Sequence, residues 1–162
     1  IFANGDAMRL QVSTRLAIFA VLELTAREGR QLSVADIGAK YGVSSHHLAK
    51  VMHVMGRAGL VRSVRGAGGG YQFVGNARRT TLLDVAQLFE DVSAVEPGGA
   101  AGDATREEQT LGDILGEIDD VARATLGSIT IATMRKLVDR RAAGNGKPAK
   151  AGLSRRQSTP QF

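Results

Sequence analysis

A mainly α fold with a small β component (α+β) is predicted by three observations. Apolar residues recur at helical spacing through most of 10–141, two helix signals flank a glycine turn within 33–58, and a glycine run between two short β-prone segments follows directly. Helix, turn, helix and glycine-tipped hairpin in that order describe a winged helix-turn-helix with a two-stranded wing. A long C-terminal helix, expected to serve dimerisation, completes the architecture.

The elements follow in chain order. Ile1 to Ala7 is expected to be an added leader, because Met8-Arg-Leu reads as a native start. Leu10 to Glu28 holds Leu16, Ala17, Ile18, Phe19, Ala20, Val21, Leu22 and Leu24, a run too continuous for a surface stripe, so this helix should be largely buried. Ser33 with Asp36 three residues on is a capping pattern, and Val34, Ile37 and Tyr41 line one face of the helix it opens. Gly42 supplies the turn, and a second helix runs from near Ser44 to about Ala58. Leu60 to Val64 and Tyr71 to Val74 are the hairpin strands around Arg65-Gly-Ala-Gly-Gly-Gly70. Thr80-Thr81-Leu-Leu-Asp84 is another capping signal, opening a helix with Leu82, Val85, Leu88 and Phe89 that is expected to reach about Glu90. Thr105 with Glu108 caps the long helix, and Ser128 to Arg141 should hold a short last helix whose Ile131, Met134, Leu137 and Val138 could fold back on the domain or on a partner. Residues 8–91 are thus expected to form the winged-helix domain, 92–104 a loop, 105–141 the dimerisation helix and last helix, and 142–162 a disordered basic tail.

Composition excludes several function classes. The chain has no cysteine, which removes disulfides, thiolate zinc sites, cysteine nucleophiles and all-thiolate iron–sulfur clusters. No apolar run approaches the ~20 residues of a membrane span, so no membrane partner is expected and a cytoplasmic location is the default. The net charge of +5 conceals a split. Residues 1–79 carry 11 Lys/Arg against 4 Asp/Glu, residues 80–141 carry 6 against 12, and residues 142–162 carry 4 against none. The basic part is the part that holds the helix-turn-helix, as expected of a face that meets phosphate.

The second helix of the motif sorts by angle. At about 100° per residue, Leu48, Val51, Met52 and Met55 share one arc, and His46, Lys50, His53 and Arg57 share the opposite one. As a recognition helix it would present Ser45, His46, His47 and Lys50 to a groove first, since the N-terminal turn enters. An ordinary amphipathic helix with a solvated face has the same pattern; the turn and wing on either side favour recognition. His46, His47 and His53 do not make a metal site, because no pair has the i, i+4 spacing that chelates. The glycine run is a poor phosphate cradle, lacking a following Gly-Lys-Ser/Thr and a helix start. It suits a hairpin tip that brings Arg65 into a narrow minor groove, although a solvent loop would look alike. No catalytic residue, metal ligand or cofactor is assigned: there is no carboxylate pair in a recognisable context and no Ser/His/Asp order tied to a strand-turn-helix. The protein is not expected to be an enzyme.

In the long helix Leu111, Ile114, Leu115, Ile118, Val121, Ala122 and Thr125 form one stripe, heptad-spaced over about two heptads. At ~22 residues and ~33 Å it exceeds what the small preceding core can cover. A second copy of the chain is the expected cover, and Gly112 with Gly116 could mark a close crossing.

From Met8 to about Leu137 the chain resembles the IscR/NsrR family (Rrf family) of bacterial winged-helix regulators. The resemblance is carried by Met8-Arg-Leu, Val43-Ser44, His47-Leu48, Lys50-Val51, Gly56 with Gly59, Val64-Arg65-Gly66 with Gly68-Gly69-Gly70, and Leu82-Leu83-Asp84-Val85. The run from His47 to His53 followed by Gly56 looks most like the nitric-oxide-sensing NsrR branch. What the resemblance implies is a homodimer on a pseudo-palindromic promoter, with Ser44, Ser45, His46, His47 and Lys50 near bases and backbone and Arg65, Gly68, Gly69 and Gly70 in the wing. It also implies three cysteine ligands to an iron–sulfur cluster in the loop before the dimerisation helix, and here 92–106 has none. Ala94, Ala100 and Ala104 stand in the region, and Glu96 and Asp103 cannot replace thiolates. The chain is either a natural cysteine-free member or a cysteine-to-alanine form of a sensing repressor; the clustering of the alanines among other alanines and glycines favours the first.

The expected function is a sequence-specific, dimeric DNA-binding regulator, a repressor by expectation, acting on double-stranded promoter DNA. The alternative is a winged-helix module that binds a protein and has no operator of its own. Without thiols, the signal reduces to a small-molecule effector at the dimer interface, a partner protein, or constitutive binding.

Overall fold

A computed structural model describes residues 10–26, 29–66, 68–90 and 105–144. The chain runs α1 (Val12–Leu24), β1 (Gln31–Leu32), α2 (Val34–Tyr41), α3 (Ser45–Arg57), β2 (Val61–Val64), β3 (Gly70–Phe73), α4 (Leu82–Ala86), α5 (Arg106–Ser128) and α6 (Ile131–Gly144). The predicted leader, the loop at 92–104 and most of the basic tail lie outside the described residues.

α1 is the central element, because its apolar residues go nearly all the way round. Ala17, Ala20 and Val21 are fully buried, and α3 and α4 both pack against the helix. It is shorter at both ends than the expected span of Leu10 to Glu28. Its start is also capped from a distance: Gln11 offers no side-chain cap, and the Glu90 carboxylate instead accepts the Gln11 N–H at 2.8 Å together with the Thr14 hydroxyl. That role accounts for the second departure. The helix expected to reach Glu90 ends at Ala86, and a tight turn of Leu88→Val85 and Phe89→Ala86 hydrogen bonds then swings Glu90 toward α1.

The helix-turn-helix forms as its capping residues dictate. Ser33 and Asp36 make a reciprocal capping box on α2, Gly42 takes the left-handed conformation at φ 65°, and the Ser44 hydroxyl accepts the His47 N–H to start α3. Gly38 is also required, since a Cβ there would lie 2.7 Å from the Val43 carbonyl oxygen where the turn folds back. α2 is tied to α1 by Glu23, which accepts hydrogen bonds from Tyr41 Oη at 2.8 Å and from Lys40 Nζ. The Tyr41 ring stacks on Phe19 with centroids 4.8 Å apart.

The wing hairpin pairs β2 with β3 in the register Val61↔Phe73 to Val64↔Gly70. The sequence reading missed β1, which adds to the other edge of β3 (Gln31↔Gln72, Leu32↔Tyr71) and makes the sheet three-stranded in the order β1-β3-β2. Two residues are too short a strand to leave a sequence period.

Beyond the wing, Leu82 N–H to Ile129 C=O and Ile131 N–H to Thr80 C=O lock the start of α4 to the junction of α5 and α6. Ile131 is fully buried and joins the main core, so the last helix folds back on its own domain at its first turn. α5 opens with the expected Thr105–Glu108 capping box, spans 23 residues and buries none of them.

Candidate nucleic-acid interface

α3 is half sunk in the core. Leu48, Val51, Met52 and Met55 are at most 2% exposed, which pins the helix, and His46, Lys50, His53 and Arg57 on its far side all face solvent; Ser45 is exposed because it opens the helix, on the Met52 side. The predicted angular split is the observed one. The sequence-predicted residues nevertheless do different things. Ser44 is engaged in capping α3, with 3.2 Å from its hydroxyl to the His47 N–H. The His47 ring is half-buried, with Nε2 3.3 Å from Ser13 Oγ on α1, so it braces the helix start against the core. Ser45, His46 and Lys50 are left as the free side chains of the N-terminal turns.

The hairpin tip rises next to this helix in the chain and leaves Arg65 exposed. Its glycines are not equivalent. Gly66 and Gly68 hold φ 115° and 76°, and the Gly69 N–H bonds the Gly66 carbonyl at 2.9 Å to close the turn. At Gly69 a Cβ would lie 2.6 Å from the Val64 carbonyl oxygen. Gly70 serves another purpose: a Cβ there would sit 2.4 Å from the Leu32 carbonyl oxygen, so its bareness admits β1 to the sheet. Gly70 was grouped with the wing tip in sequence and is structurally a strand-packing glycine.

One polar group on the wing escaped the sequence reading. Arg62 on β2 stands across from Gln72 on β3, and its Nε and Nη2 donate to Gln72 Oε1 at 3.1 and 2.8 Å. This fork holds an exposed guanidinium on β2, three residues before Arg65 in the chain. Alternation within Val61-Arg62 and Tyr71-Gln72-Phe73 was the signal that could have found it.

Away from this face, Leu111, Ile114, Ile118 and Val121 of α5 are each more than half exposed, whereas Leu115 and Ala122 are partly covered. Among the described residues the C-terminal end of α5 touches the protomer's core: Leu126 packs on it, and Gly127 lies against Leu83. Among the described residues no group of three or more His, Cys, Asp or Glu could hold a metal, and no helix is long and apolar enough to cross a membrane.

An amphipathic second helix of a helix-turn-helix, followed at once by a glycine-tipped hairpin and a long trailing helix, defines a winged-helix transcriptional regulator. The profile of the Rrf2 family, described as iron-dependent transcriptional regulators, matches residues 10–136, and the chain belongs to that family. A protein of Rhodopseudomonas palustris named as an HTH-type transcriptional regulator, BadM, is 48% identical over 132 residues, covering 82% of this chain and 84% of its own. Among solved structures, T. potens IscR superposes with a TM-score of 0.63 at 26% identity, covering 88% of this chain and 95% of that one. CymR (YrzC), the global cysteine regulator of B. subtilis, superposes with a TM-score of 0.66 at 23% identity over 81% and 98% of the two chains, which supports the fold.

The family description implies iron, and the donor set of this chain does not fit a cluster. With no cysteine in 162 residues there is no thiolate to bind iron, and the three histidines all lie on α3, where His47 is taken by Ser13.

Proposed function

We propose that the protein is a dimeric, sequence-specific DNA-binding repressor whose regulation does not use an iron–sulfur cluster. The observation that carries the reading is α3: one face is locked in the core by four buried apolar side chains, the other offers His46, Lys50, His53 and Arg57, with Ser45 exposed at the first turn, and the wing that follows leaves Arg65 exposed. A rigid helix with a free cationic face can lie in a major groove, with hydroxyl, imidazole and ammonium groups able to meet base edges and phosphates. Arg65, on a tip made narrow by glycines, suits a minor groove. Gly68 and Gly69 would let the tip approach closely, while Ser44 and His47 would act by positioning the helix start.

The dimer is inferred from α5, whose Leu111, Ile114, Ile118 and Val121 would otherwise stay in water. Leu115 and Ala122 would flank that seam. Two copies related by a twofold axis would put two α3 helices on a palindromic site. BadM's name as an HTH-type regulator agrees with DNA as the partner.

The test is footprinting of the full chain on the DNA upstream of its own gene, followed by gel shifts of the protected fragment at several salt concentrations. Affinity should fall steeply with salt, because phosphate contacts release counterions. Combining Lys50→Ala with Arg65→Ala should abolish specific binding; an unchanged shift by the double variant would refute the assignment of helix and wing.

A further inference from the structure

A cleft of about 490 Å3 opens where the end of α1, the turn after β3 and the first turns of α6 meet, lined by Thr25, Ala77, Arg78, Ala132, Thr133 and Lys136 among others. Its charge is one-sided. Among the described residues no carboxylate lines it, and no ion pair involves Arg78 or Lys136, both of them exposed. Arg135, the third cation of the lining, is already engaged by the Leu22 carbonyl at 3.0 Å and by Asp139 at 3.3 Å. The helix end offers nothing either. The N–H groups of Ile131, Ala132 and Thr133 are taken by Thr80 C=O, Ala77 C=O and the Thr130 hydroxyl. Recognition here would rest on two exposed cations above walls of alanine and threonine methyls. Such exposed cations are well screened, so a bare anion gains little from them. An anion with an apolar tail gains from both the charges and the walls.

We propose that this cleft binds a small organic anion, a carboxylate or phosphate monoester with a short apolar tail, and that binding is felt at α3 through α1. The physical link is a single helix of 13 residues, about 20 Å long. At its far end the Leu22 carbonyl holds Arg135 beside the cleft, and at its near end Ser13 meets His47 at the start of α3. The binding step stands on the cleft alone, whereas the coupling rests on the reading of α3 as the DNA-contacting helix.

The test titrates the full chain with hexanoate and hexyl phosphate, and with inorganic phosphate and hexan-1-ol as head and tail alone, following backbone amides by NMR. One hexyl anion is expected to saturate with the first shifts at Thr25, Ala77 and 130–136, and which one does so identifies the head group. Arg78→Ala with Lys136→Ala should weaken that binding at least about tenfold without lowering the melting temperature, and Lys136→Arg should retain it. Equal binding of inorganic phosphate, equal binding of hexanol, or no saturation by either hexyl anion overturns the site. With the ligand bound, affinity for the promoter fragment should change about fivefold or more. An unchanged affinity overturns the coupling. A chain that binds the anion and no DNA at all refutes the regulator reading while leaving the cleft.

Discussion

At the scale of single residues, chemistry that looks uniform in sequence divides by role. Gly68, Gly69 and Gly70 form one run, yet the first takes φ 76°, the second closes the tip turn and the third lies under the Leu32 carbonyl. Gly70→Ala should therefore detach β1 and cost about 1–3 kcal/mol in denaturant unfolding. A variant as stable as the parent would mean that β1 contributes nothing. Glu23 has a pH signature. Its partial burial raises the carboxyl pKa, but hydrogen bonds from Lys40 and Tyr41 and the charges of Lys40 and Arg30 outweigh this and leave it below 4.5. The neighbouring Tyr41 hydroxyl is shifted up, by its own burial first and by Glu23 second. Because the folded carboxyl binds its proton less readily than the unfolded one, Glu23 stabilises the fold above the unfolded value, and this is lost as pH falls through the folded value. Thermal melts of Glu23→Gln should lose less stability than the parent between about pH 5 and pH 3.

At the scale of elements, periodicity was legible and partners were not. Capping boxes at Ser33–Asp36, Thr81–Asp84 and Thr105–Glu108 each start a helix where the sequence puts them, because the interaction is complete within four residues. The end of α4 and the start of α1 could not be read that way, since Glu90 and Gln11 meet across 79 positions. β1 was invisible for the same reason: it is a strand only because β3 is beside it. α5 is the element whose partner decides most. Ile118 is exposed on the protomer, so Ile118→Glu should leave the fold intact and turn a dimer into a monomer in light scattering coupled to size exclusion. A dimer that survives the change would mean that the apolar face of α5 is covered by something else.

At the scale of the molecule, a regulator of a family described as iron-dependent carries no thiol. Freshly purified protein is expected to show no visible iron–sulfur absorbance, and chelator treatment should leave its affinity for promoter DNA unchanged. A visible band or a chelator-sensitive shift would require iron held by other groups. Charge follows the architecture: the basic residues of 1–79 accompany the helix-turn-helix and wing, and the acidic balance of 80–141 accompanies α5. Repulsion would keep phosphate away from that helix, leaving it for protein contact.

The sequence by itself determined the order of elements apart from β1, the buried and exposed faces of α3, the capped starts of α2, α4 and α5, and the lack of cysteine ligands for a cluster. These rest on spacing within a few turns of chain or on composition. Only the tertiary structure decided that His47 braces α3 on Ser13, that Gly70 makes room for β1, that Glu90 caps α1, and that α1, α6 and the turn after β3 enclose a cationic cleft. Each of these depends on residues far apart in the chain brought together by burial of the core around α1. Local spacing carries no record of such a meeting.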